Sequence, residues 1–475
     1  MAANDSLRAG AAEVDITPAT CVHRGGDSAR LRPGEQVLDP LYARALVVEQ
    51  ADGETLHRVC LLSLDLCTPG DEISDEIRSA VASRFGFDRR AVMFHLTQNH
   101  SAPSLGTHQL LRPDSPYARE EIWWSYQGDP TYADFLKPRI MQVVERAVAN
   151  LQPVCIGIGG MADSRVAFNR RFIMRDGWVQ TQARDRSAVL CSEGPVDPEV
   201  GVACFRNRDG QVIAALLHHT AHPVSCFGEN WVTASWPGAW ASRFRATAGE
   251  ACIPLIINGA CGNINARDNL NPAHQASDEQ IGQWLTDTAA QVMESMTWSD
   301  GDKVGFASHT ITFPFEPIEK TLGRDAIDHA RKVIEAEPEP RWANDAHTAV
   351  DIEWLFALYT LDLERRTKHG TYDYEVQALR IGDLSVVGLT GEPFVEGQLD
   401  IKRQSPAGRT FIAHMCNGWI GYIPPEQGHR AKNFNFRTPA GHPVRRGANL
   451  FMLPPDALAR IVDASVSQVR QLFRG

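Results

Sequence analysis

The stretch of residues 213–265 constrains the fold more than any other part of this 475-residue chain. One apolar run leads directly into His218, His219 and His222, and a second leads into the Gly/Asn-rich turn 258–265. Short apolar runs bounded by turn signals are typical of strands in a sheet that is covered on both faces. Active sites of α/β proteins form where such strands end. The stretch therefore predicts a buried sheet with chemically able side chains at one edge, and one of the three histidines is expected to be a core residue.

Charge and hydropathy exclude several classes of partner. The chain is 43% hydrophobic and 22% charged, and its formal net charge is -11, which does not favour nucleic acid or an anionic membrane surface. No apolar run approaches the ~18 residues of a membrane span, and residues 1–8 lack the apolar core of a signal peptide. We therefore expect a cytoplasmic protein with no nucleic-acid partner and no integral membrane contact, and a homo-oligomer is left open. The basic pairs Arg170-Arg171 and Arg445-Arg446 are interpreted as solvated surface.

The cysteines indicate a reducing compartment. Ten cysteines are spread along the chain without a C-x-x-C pair, and several lie within apolar runs. This distribution is typical of reduced, mostly buried thiols rather than of a disulfide framework.

Hydrophobic periodicity alternates between short strands and amphipathic helices, which predicts the α/β (α+β) fold class. Two polar helices, 323–336 and 351–366, are predicted to lie in a helical surface insertion at about residues 318–370. No internal repeat, low-complexity linker or composition break is visible in the sequence. The simplest organisation is therefore a single domain spanning residues 1–475.

Polar side chains follow several of the predicted strands, at the point where each strand ends. Histidine, glutamate and tyrosine from separate segments suit a transition metal with an open coordination position, most often zinc. Each also has a structural interpretation, because polar residues can close a strand by satisfying backbone groups and a glutamate can cap a helix. Asp65 is likewise interpreted as either a partner of a site residue or a helix cap. The strand-end candidates are Gln98, His100, His218, His219, His222, Asn263, Asn265, Glu392 and Tyr422.

Nine short motifs occur in an order that resembles the catalytic domain of the neutral/alkaline, non-lysosomal ceramidases and their bacterial relatives. The resemblance covers nearly the whole chain and implies stacked mixed β-sheets flanked by helices, with a zinc-dependent amidase activity that cleaves an N-acyl bond. Ceramidases proper carry a further immunoglobulin-like C-terminal domain, which we expect to be absent here because the sequence stops after the last predicted helix. The motifs are residues 12–18, Ser63-Leu64-Asp65, Asn99-His100-Ser101-Ala102-Pro103, Asp197-Pro198-Glu199-Val200, Ala221-His222-Pro223, Trp236-Pro237-Gly238, 259–265, Gly391-Glu392-Pro393 and 417–424.

Carried over residue by residue, the resemblance implies a zinc site. His222, Glu392 and Tyr422 fall on a zinc-binding histidine, glutamate and tyrosine of the family. His100 falls on the second histidine of the family's His-x-His-Ser-Gly-Pro stretch, which lies beside the metal. The first histidine of that stretch is the remaining zinc ligand, and Gln98 takes its place here. A neutral amide is a poor substitute for imidazole, so the predicted metal set departs from the family at this position.

Two further positions depart from the family pattern. The serine near the metal in true ceramidases corresponds to Asn265. A tyrosine of the family that is thought to stabilise the oxyanion corresponds, counted from Tyr422, to Phe434. In this register a phenolic donor is absent.

Three functions are open at this point. In the first, the chain is a zinc-dependent hydrolase of a small or amphiphilic amide, with water activated at the metal. His100 is then the general base or a replacement ligand, and Asn265 or Arg170 orients the substrate. In the second, the altered ligand set supports a lyase or isomerase step on a polar metabolite. In the third, the chain is a metal-free binding protein that kept the fold. Ceramide itself is not expected, because the sequence shows no export signal, no second domain and no lipid-facing patch.

Overall fold

Two β-sheets of unequal size organise the chain. The computed structural model describes residues 7–474 apart from 20–21, 27, 108–109, 227–228, 272, 301–302, 438–442 and 445–450. Cys21 and the pair Arg445-Arg446 therefore lie outside the described residues.

The larger sheet has nine strands and is mixed. Its two ends are parallel pairs, and the pairs between them are antiparallel. All eight residues of Val212–His219 are buried, which explains why this run is continuously apolar rather than alternating. In spatial order the strands are Ile253–Asn258, Val212–His219, Glu199–Asn207, Gln152–Ala162, Arg8–Asp15, Tyr42–Asp52, Thr55–Leu64 and Val92–Leu96, and Trp298–Ser299 also pairs with Gln152–Ala162.

The smaller sheet has four strands, of which the first three are antiparallel and the last two are parallel. Its central hairpin turns over Gly382-Asp383, as the sequence predicts, and Gly382 has a φ of 58°, a conformation that costs glycine no steric strain. In spatial order the strands are Val304–Pro314, Thr371–Ile381, Leu384–Leu389 and Arg409–Ala413.

The inner faces of the two sheets pack on each other. Leu46, Leu216 and Leu255 of the larger sheet share one buried cluster with Val386 and Phe411 of the smaller sheet. Full burial of a side chain of this size stabilises the fold by about 1.5–3 kcal/mol. The predicted fold class, stacked mixed sheets flanked by helices, is confirmed. The helices Asp71–Phe85, Pro130–Ala149, Ser235–Ala248 and Asp278–Glu294 cover the outer face of the larger sheet, and Ala457–Leu472 covers the smaller sheet.

Helices Arg324–Ala336 and Ile352–Thr367 lie within the predicted insertion and pack, together with the 3₁₀ segment Glu120–Ser125, around a buried aromatic cluster. The other helices are Ile318–Leu322, Val395–Gln404 and Glu426–Arg430, with 3₁₀ turns at Arg89–Ala91 and Arg186–Ala188. The short strands are Gln36–Val37, Phe168–Asn169, Arg171–Met174, Val179–Thr181, Val189–Ser192, Trp231–Val232, Ile264–Asn265, Glu392–Pro393, Tyr422–Ile423, Asn433–Phe434, Phe436–Arg437 and Pro443–Val444.

Two element boundaries show how local context departs from the sequence prediction. The sequence predicts a loop longer than two residues at Asp52-Gly53, but pairing continues to Asp52 and Thr55 and leaves a tight turn. The helix predicted from Trp240 begins at Ser235. Pro237 therefore lies in the first helical turn, where a missing backbone N–H costs nothing.

Asp65 is neither a helix cap nor part of the site, so both interpretations are wrong. Its carboxylate accepts hydrogen bonds from Arg44 Nη1 at 2.9 and 2.8 Å and from the backbone N–H of Tyr42 at 2.9 Å. Both charged side chains are buried, so each compensates the other inside the core. Helix Asp71–Phe85 begins after Gly70 instead.

None of the described helices is long and apolar enough to cross a membrane. The nine described cysteines are free, and most of them are buried. The cytoplasmic location stays a prediction.

Candidate functional site

The predicted site residues follow strand ends that meet at one edge of the two sheets. The larger sheet contributes the ends of Val92–Leu96, Val212–His219 and Ile253–Asn258, and the smaller sheet those of Leu384–Leu389 and Arg409–Ala413. Beside them lies a cavity of about 430 Å³, within the size range of small-molecule sites. His222 contacts Glu392, and the other residues predicted to bind the metal or act in catalysis line the cavity: Gln98, His100, Arg170, Asn265, Glu392 and Tyr422.

Asn258 and His95 tie these strand ends together. The Asn258 side chain donates to the carbonyl oxygens of Thr97 and Ala221 at 2.8 and 3.1 Å. The backbone N–H of Asn258 donates to His95 Nε2 at 3.1 Å. The second ring nitrogen, His95 Nδ1, lies 2.6 Å from the carbonyl oxygen of His414 and so carries the proton. Because both side chains are fully buried, this network fixes the relative positions of the segments that form the site.

His222 presents one ring nitrogen to the centre of the site. Its Nδ1 lies 2.6 Å from the carbonyl oxygen of Cys261 and therefore carries the proton. Burial lowers the pKa of His222, and the nearby Arg170 guanidinium lowers it further. The imidazole is then neutral at pH 7, and Nε2 carries a lone pair. Fixing one nitrogen through a carbonyl is usual for a metal-binding histidine.

Glu392 faces that lone pair with an oxygen of its own. Trp419 Nε1 donates to Oε1 at 2.9 Å, whereas Oε2 has no hydrogen-bond donor among the described residues. Burial alone would raise the pKa of this carboxyl, but interactions with His222, Tyr422 and Trp419 outweigh burial and lower the pKa to about 2. The carboxylate is therefore ionised at neutral pH, with Oε2 3.2 Å from His222 Nε2.

His222 Nε2 and Glu392 Oε2 are close enough to bind one cation together. A proton on His222 Nε2 makes this contact a hydrogen bond, and a metal ion in its place would be coordinated by both atoms, so either way one positive charge lies near both. Imidazole nitrogen and carboxylate oxygen are common zinc ligands, and the Tyr422 hydroxyl, which also interacts with Glu392, supplies a third donor. Within the described part of the chain, no group of three or more His, Cys, Asp or Glu side chains could hold a metal. A zinc site here would therefore need the Tyr422 hydroxyl as a third ligand beside His222 and Glu392.

Arg170 brings a positive charge to the same point. Its Nη2 donates to the carbonyl oxygen of Gly262 at 2.7 Å. The same nitrogen lies 3.3 Å from the Tyr422 hydroxyl and 3.5 Å from His222 Nε2. The guanidinium therefore offsets part of the Glu392 charge and can donate to an oxygen atom of a substrate.

The interpretation of Arg170-Arg171 as solvated surface is wrong. Both side chains are buried, and the Arg171 guanidinium pairs with the Glu193 carboxylate. The backbone N–H of Arg170 donates to the carbonyl oxygen of Asn263 at 2.8 Å, beside the antiparallel pairing of Phe168–Asn169 with Ile264–Asn265. This pairing brings the arginine to the site.

His100 lies beside His222, with ring centroids 5.6 Å apart. Burial, followed by the effect of His222, lowers the pKa of His100 to about 3, so the imidazole is neutral at pH 7. The space around the ring is tight, because a Cβ atom on Gly26 would lie 2.2 Å from His100 Nδ1. Gly26 therefore has to be a glycine if the ring is to keep this position.

Asn265 lines the cavity with an oxygen that lacks a partner. Its Nδ2 donates to Asn269 Oδ1 at 3.3 Å, and its Oδ1 has no hydrogen-bond donor among the described residues. The group that this oxygen can bind is an N–H or O–H of a substrate.

Gln98 lies beside the site in a strained backbone conformation. Its φ is 64°, in the left-handed region that residues other than glycine rarely adopt and that is concentrated at functional sites. Its Oε1 accepts a hydrogen bond from Cys261 Sγ at 3.3 Å. Because that oxygen is already engaged, the role of Gln98 as a metal ligand stays a prediction.

The other two histidines of the opening stretch are core residues, one more than expected. His218 stacks on Phe411 with ring centroids 5.0 Å apart, and His219 Nδ1 lies 3.0 Å from the carbonyl oxygen of Glu199. Both are fully buried.

Phe434, the position that corresponds to the oxyanion-stabilising tyrosine when counted from Tyr422, is a packed core residue. Phe434 is buried and meets Trp178 edge-on, with ring centroids 5.9 Å apart. The next residue, Asn435, lines the cavity instead. An amide is therefore the polar group that this segment offers to a substrate.

Three residues that hold the site were not sequence candidates: Trp419, which binds Glu392, Cys261, whose carbonyl binds His222, and Asn258. Each lies inside a segment that the sequence marks, 258–265 or 417–424. The sequence signal located the segments, but it did not reveal a role for a backbone carbonyl or an indole N–H, because these contacts join distant parts of the chain.

Two solved structures are similar to this chain over almost its full length. The neutral ceramidase from Pseudomonas aeruginosa aligns with a TM-score of 0.70 and 15% identity, covering 98% of this chain and 74% of that chain. A structure described as ceramidase complexed with C2 aligns with a TM-score of 0.67 and 16% identity, covering 98% and 75%. No protein-family model and no curated protein sequence matches. The chain therefore has a ceramidase-like fold.

Proposed function

We propose that this chain is a zinc-dependent hydrolase that cleaves the amide bond of a small or amphiphilic substrate. The observation that supports the proposal is the contact between two groups that commonly bind zinc, His222 Nε2 and Glu392 Oε2, 3.2 Å apart at a cavity of small-molecule size. The ceramidase-like fold supports an amide as the bond that is cleaved.

Each residue of the site has a separate role in the proposed reaction. Zinc held by His222, Glu392 and Tyr422 would supply a Lewis acid that polarises the amide carbonyl and acidifies water. His100, neutral at pH 7, accepts a proton from the attacking water. The Arg170 guanidinium donates to the carbonyl oxygen as negative charge develops there.

Water is the only co-substrate that the proposed hydrolysis needs. The water oxygen bonds to the carbonyl carbon, the C–N bond breaks, and the proton held by His100 passes to the leaving nitrogen. Asn265 Oδ1 accepts a hydrogen bond from the substrate and orients it. The products are a carboxylic acid and an amine.

The test is amine release from a panel of N-acyl amino compounds by the zinc-supplied protein. Glu392→Gln keeps the size of the side chain and removes its charge, so we expect turnover to fall by about 10²-fold or more. Glu426→Gln makes the same change at an exposed position and is expected to keep wild-type turnover. If the zinc-supplied wild type hydrolyses no amide, the lyase, isomerase or binding-protein hypothesis replaces this one.

A further inference from the structure

The cavity has two unlike sets of lining residues. The first set is apolar, and most of it comes from the insertion helix Ile352–Thr367 and from residues 110–124. Its large side chains are Leu110, Trp124, Ile352, Phe356 and Trp419. The second set is polar and includes Thr181, Gln182, Arg184, Asn269 and Asn435. A substrate with one apolar part and one polar part can therefore satisfy both sets at once.

Arg184 is the charged member of the polar set, and its backbone is fixed on both sides. The backbone N–H of Gln182 donates to the carbonyl oxygen of Arg170 at 2.6 Å, and Ala183 is fully buried. The Asp185 side chain accepts hydrogen bonds from the Ser187 backbone N–H at 3.0 Å and from its hydroxyl at 2.6 Å. The exposed Arg184 side chain, by contrast, makes no hydrogen bond or ion pair with another described residue. Its guanidinium lines the cavity and is therefore available to a ligand.

The charge of the lining differs from that of the whole chain. The chain has a formal net charge of -11, yet the described lining residues include two guanidiniums, Arg170 and Arg184, and one carboxylate, Glu392. Arg170 lies beside Glu392 and offsets part of its charge. The positive charge of Arg184 is therefore the one that an anionic group entering the cavity can neutralise.

We propose that Arg184 binds a carboxylate on the amine side of the scissile amide, so that the substrate is an N-acyl amino acid. The proposal rests on the amide hydrolase function proposed above. The acyl chain lies along the apolar set, the amide reaches His222 and Glu392, and the carboxylate pairs with Arg184. Guanidinium matches carboxylate through two parallel hydrogen bonds. Hydrolysis releases a carboxylic acid and a free amino acid, and the carboxylate bound by Arg184 is not altered.

Two substrates that differ only in this charge test the proposal: N-octanoylglycine and the neutral N-octanoylglycinamide. We expect the wild type to prefer the carboxylate by about fivefold in kcat/KM, the upper range for an exposed ion pair. Arg184→Gln is expected to abolish the preference, mainly by raising KM for N-octanoylglycine, and Arg184→Lys to restore part of it. Arg186→Gln, two residues away and outside this cavity, keeps the preference. A wild type that prefers the neutral amide, or an unchanged preference in Arg184→Gln, overturns the role of Arg184 while amide hydrolysis stands.

Calorimetric measurement of binding tests the role of Arg184 independently of the proposed hydrolase function. N-octylsulfonylglycine and the neutral N-octylsulfonylethanolamine contain no amide carbonyl, so their affinities do not depend on turnover. Tighter binding of the carboxylate to wild type than to Arg184→Gln supports the site even if no amide is cleaved. Equal affinity of both proteins for both compounds, or no binding of either compound, overturns it.

Discussion

His222 Nε2 and Glu392 Oε2 lie 3.2 Å apart although they follow strands of different sheets. The interaction with His222 helps to keep the Glu392 carboxylate ionised although it is buried. Because the two residues come from segments that follow different sheets, this contact exists only where the two sheets meet.

The first prediction concerns metal content. The wild-type chain is expected to carry about one zinc ion, and His222→Ala is expected to lose most of it, because one of three donors is removed. Elemental analysis after gel filtration measures this. His309→Ala, at an exposed position, is the matched control and keeps the metal. Equal metal content in wild type and His222→Ala would refute the assignment of His222.

The second prediction concerns Gln98. Gln98→His places an imidazole where the family has a ligand, and it is expected to tighten zinc binding in competition with a chelator. Gln182→His is the control, because Gln182 also lines the cavity and also has a positive φ, 59°. If both variants bind zinc like the wild type, position 98 lies out of reach of the metal.

The third prediction concerns the space around His100. Gly26→Ala adds a Cβ atom 2.2 Å from His100 Nδ1, so the ring has to move. Displacement of a general base is expected to lower kcat by up to about 10²–10⁴-fold. Gly53→Ala carries the same positive-φ strain but meets nothing within 4 Å, so it controls for stability. Wild-type kcat in a folded Gly26→Ala would exclude a positional role for His100.

The fourth prediction concerns stability and pH. Burial, together with Glu72, raises the pKa of Asp71 from 3.8 to about 6, against the hydrogen bond from the Trp419 backbone. The folded state therefore holds this proton more tightly than the unfolded chain. The stabilisation is complete below about pH 4 and is lost as the pH rises to about 6, a change of about 3 kcal/mol.

Asp71→Asn keeps the acceptor for Trp419 and removes the titration. We subtract the wild-type free energy of unfolding from that of Asp71→Asn, both measured by urea titration. This difference is expected to grow by about 3 kcal/mol between pH 4 and pH 7. Asp75→Asn, at an exposed position of the same helix, gives the background effect of losing one charge. A difference between Asp71→Asn and wild type that is the same at every pH would contradict the prediction.

The layered fold was predictable from its apolar runs and from the order of short motifs. Runs such as Val212–His219 are buried on both faces, and only a sheet covered on both sides produces that pattern. The predicted boundaries of helices and strands were wrong where the local context outweighs the intrinsic propensity of a residue. Trp236-Pro237-Gly238 predicts a helix that begins after this motif, but the first helical turn accepts a proline and the helix begins at Ser235.

The site was predictable to the level of segments, not of contacts. Strand-end position located Glu392 and Tyr422, which the structure brings together as a parallel pair. Sequence periodicity did not reveal that Arg170 is buried beside them, because a short strand pairing rather than an apolar run brings it there. Nor did it distinguish His222 from its neighbours, since the three histidines differ only in what surrounds them after folding.

The hydrogen bonds of Asn258 have a consequence for assembly. They join the chain near residues 97 and 221, and His95 extends the link to residue 414. Segments so far apart in sequence meet only after large loops have closed. Because closing a large loop costs conformational entropy, these long-range contacts form later than local structure. During refolding, helix and strand signals should return before turnover does, so that the last event to complete is the one that makes the protein active.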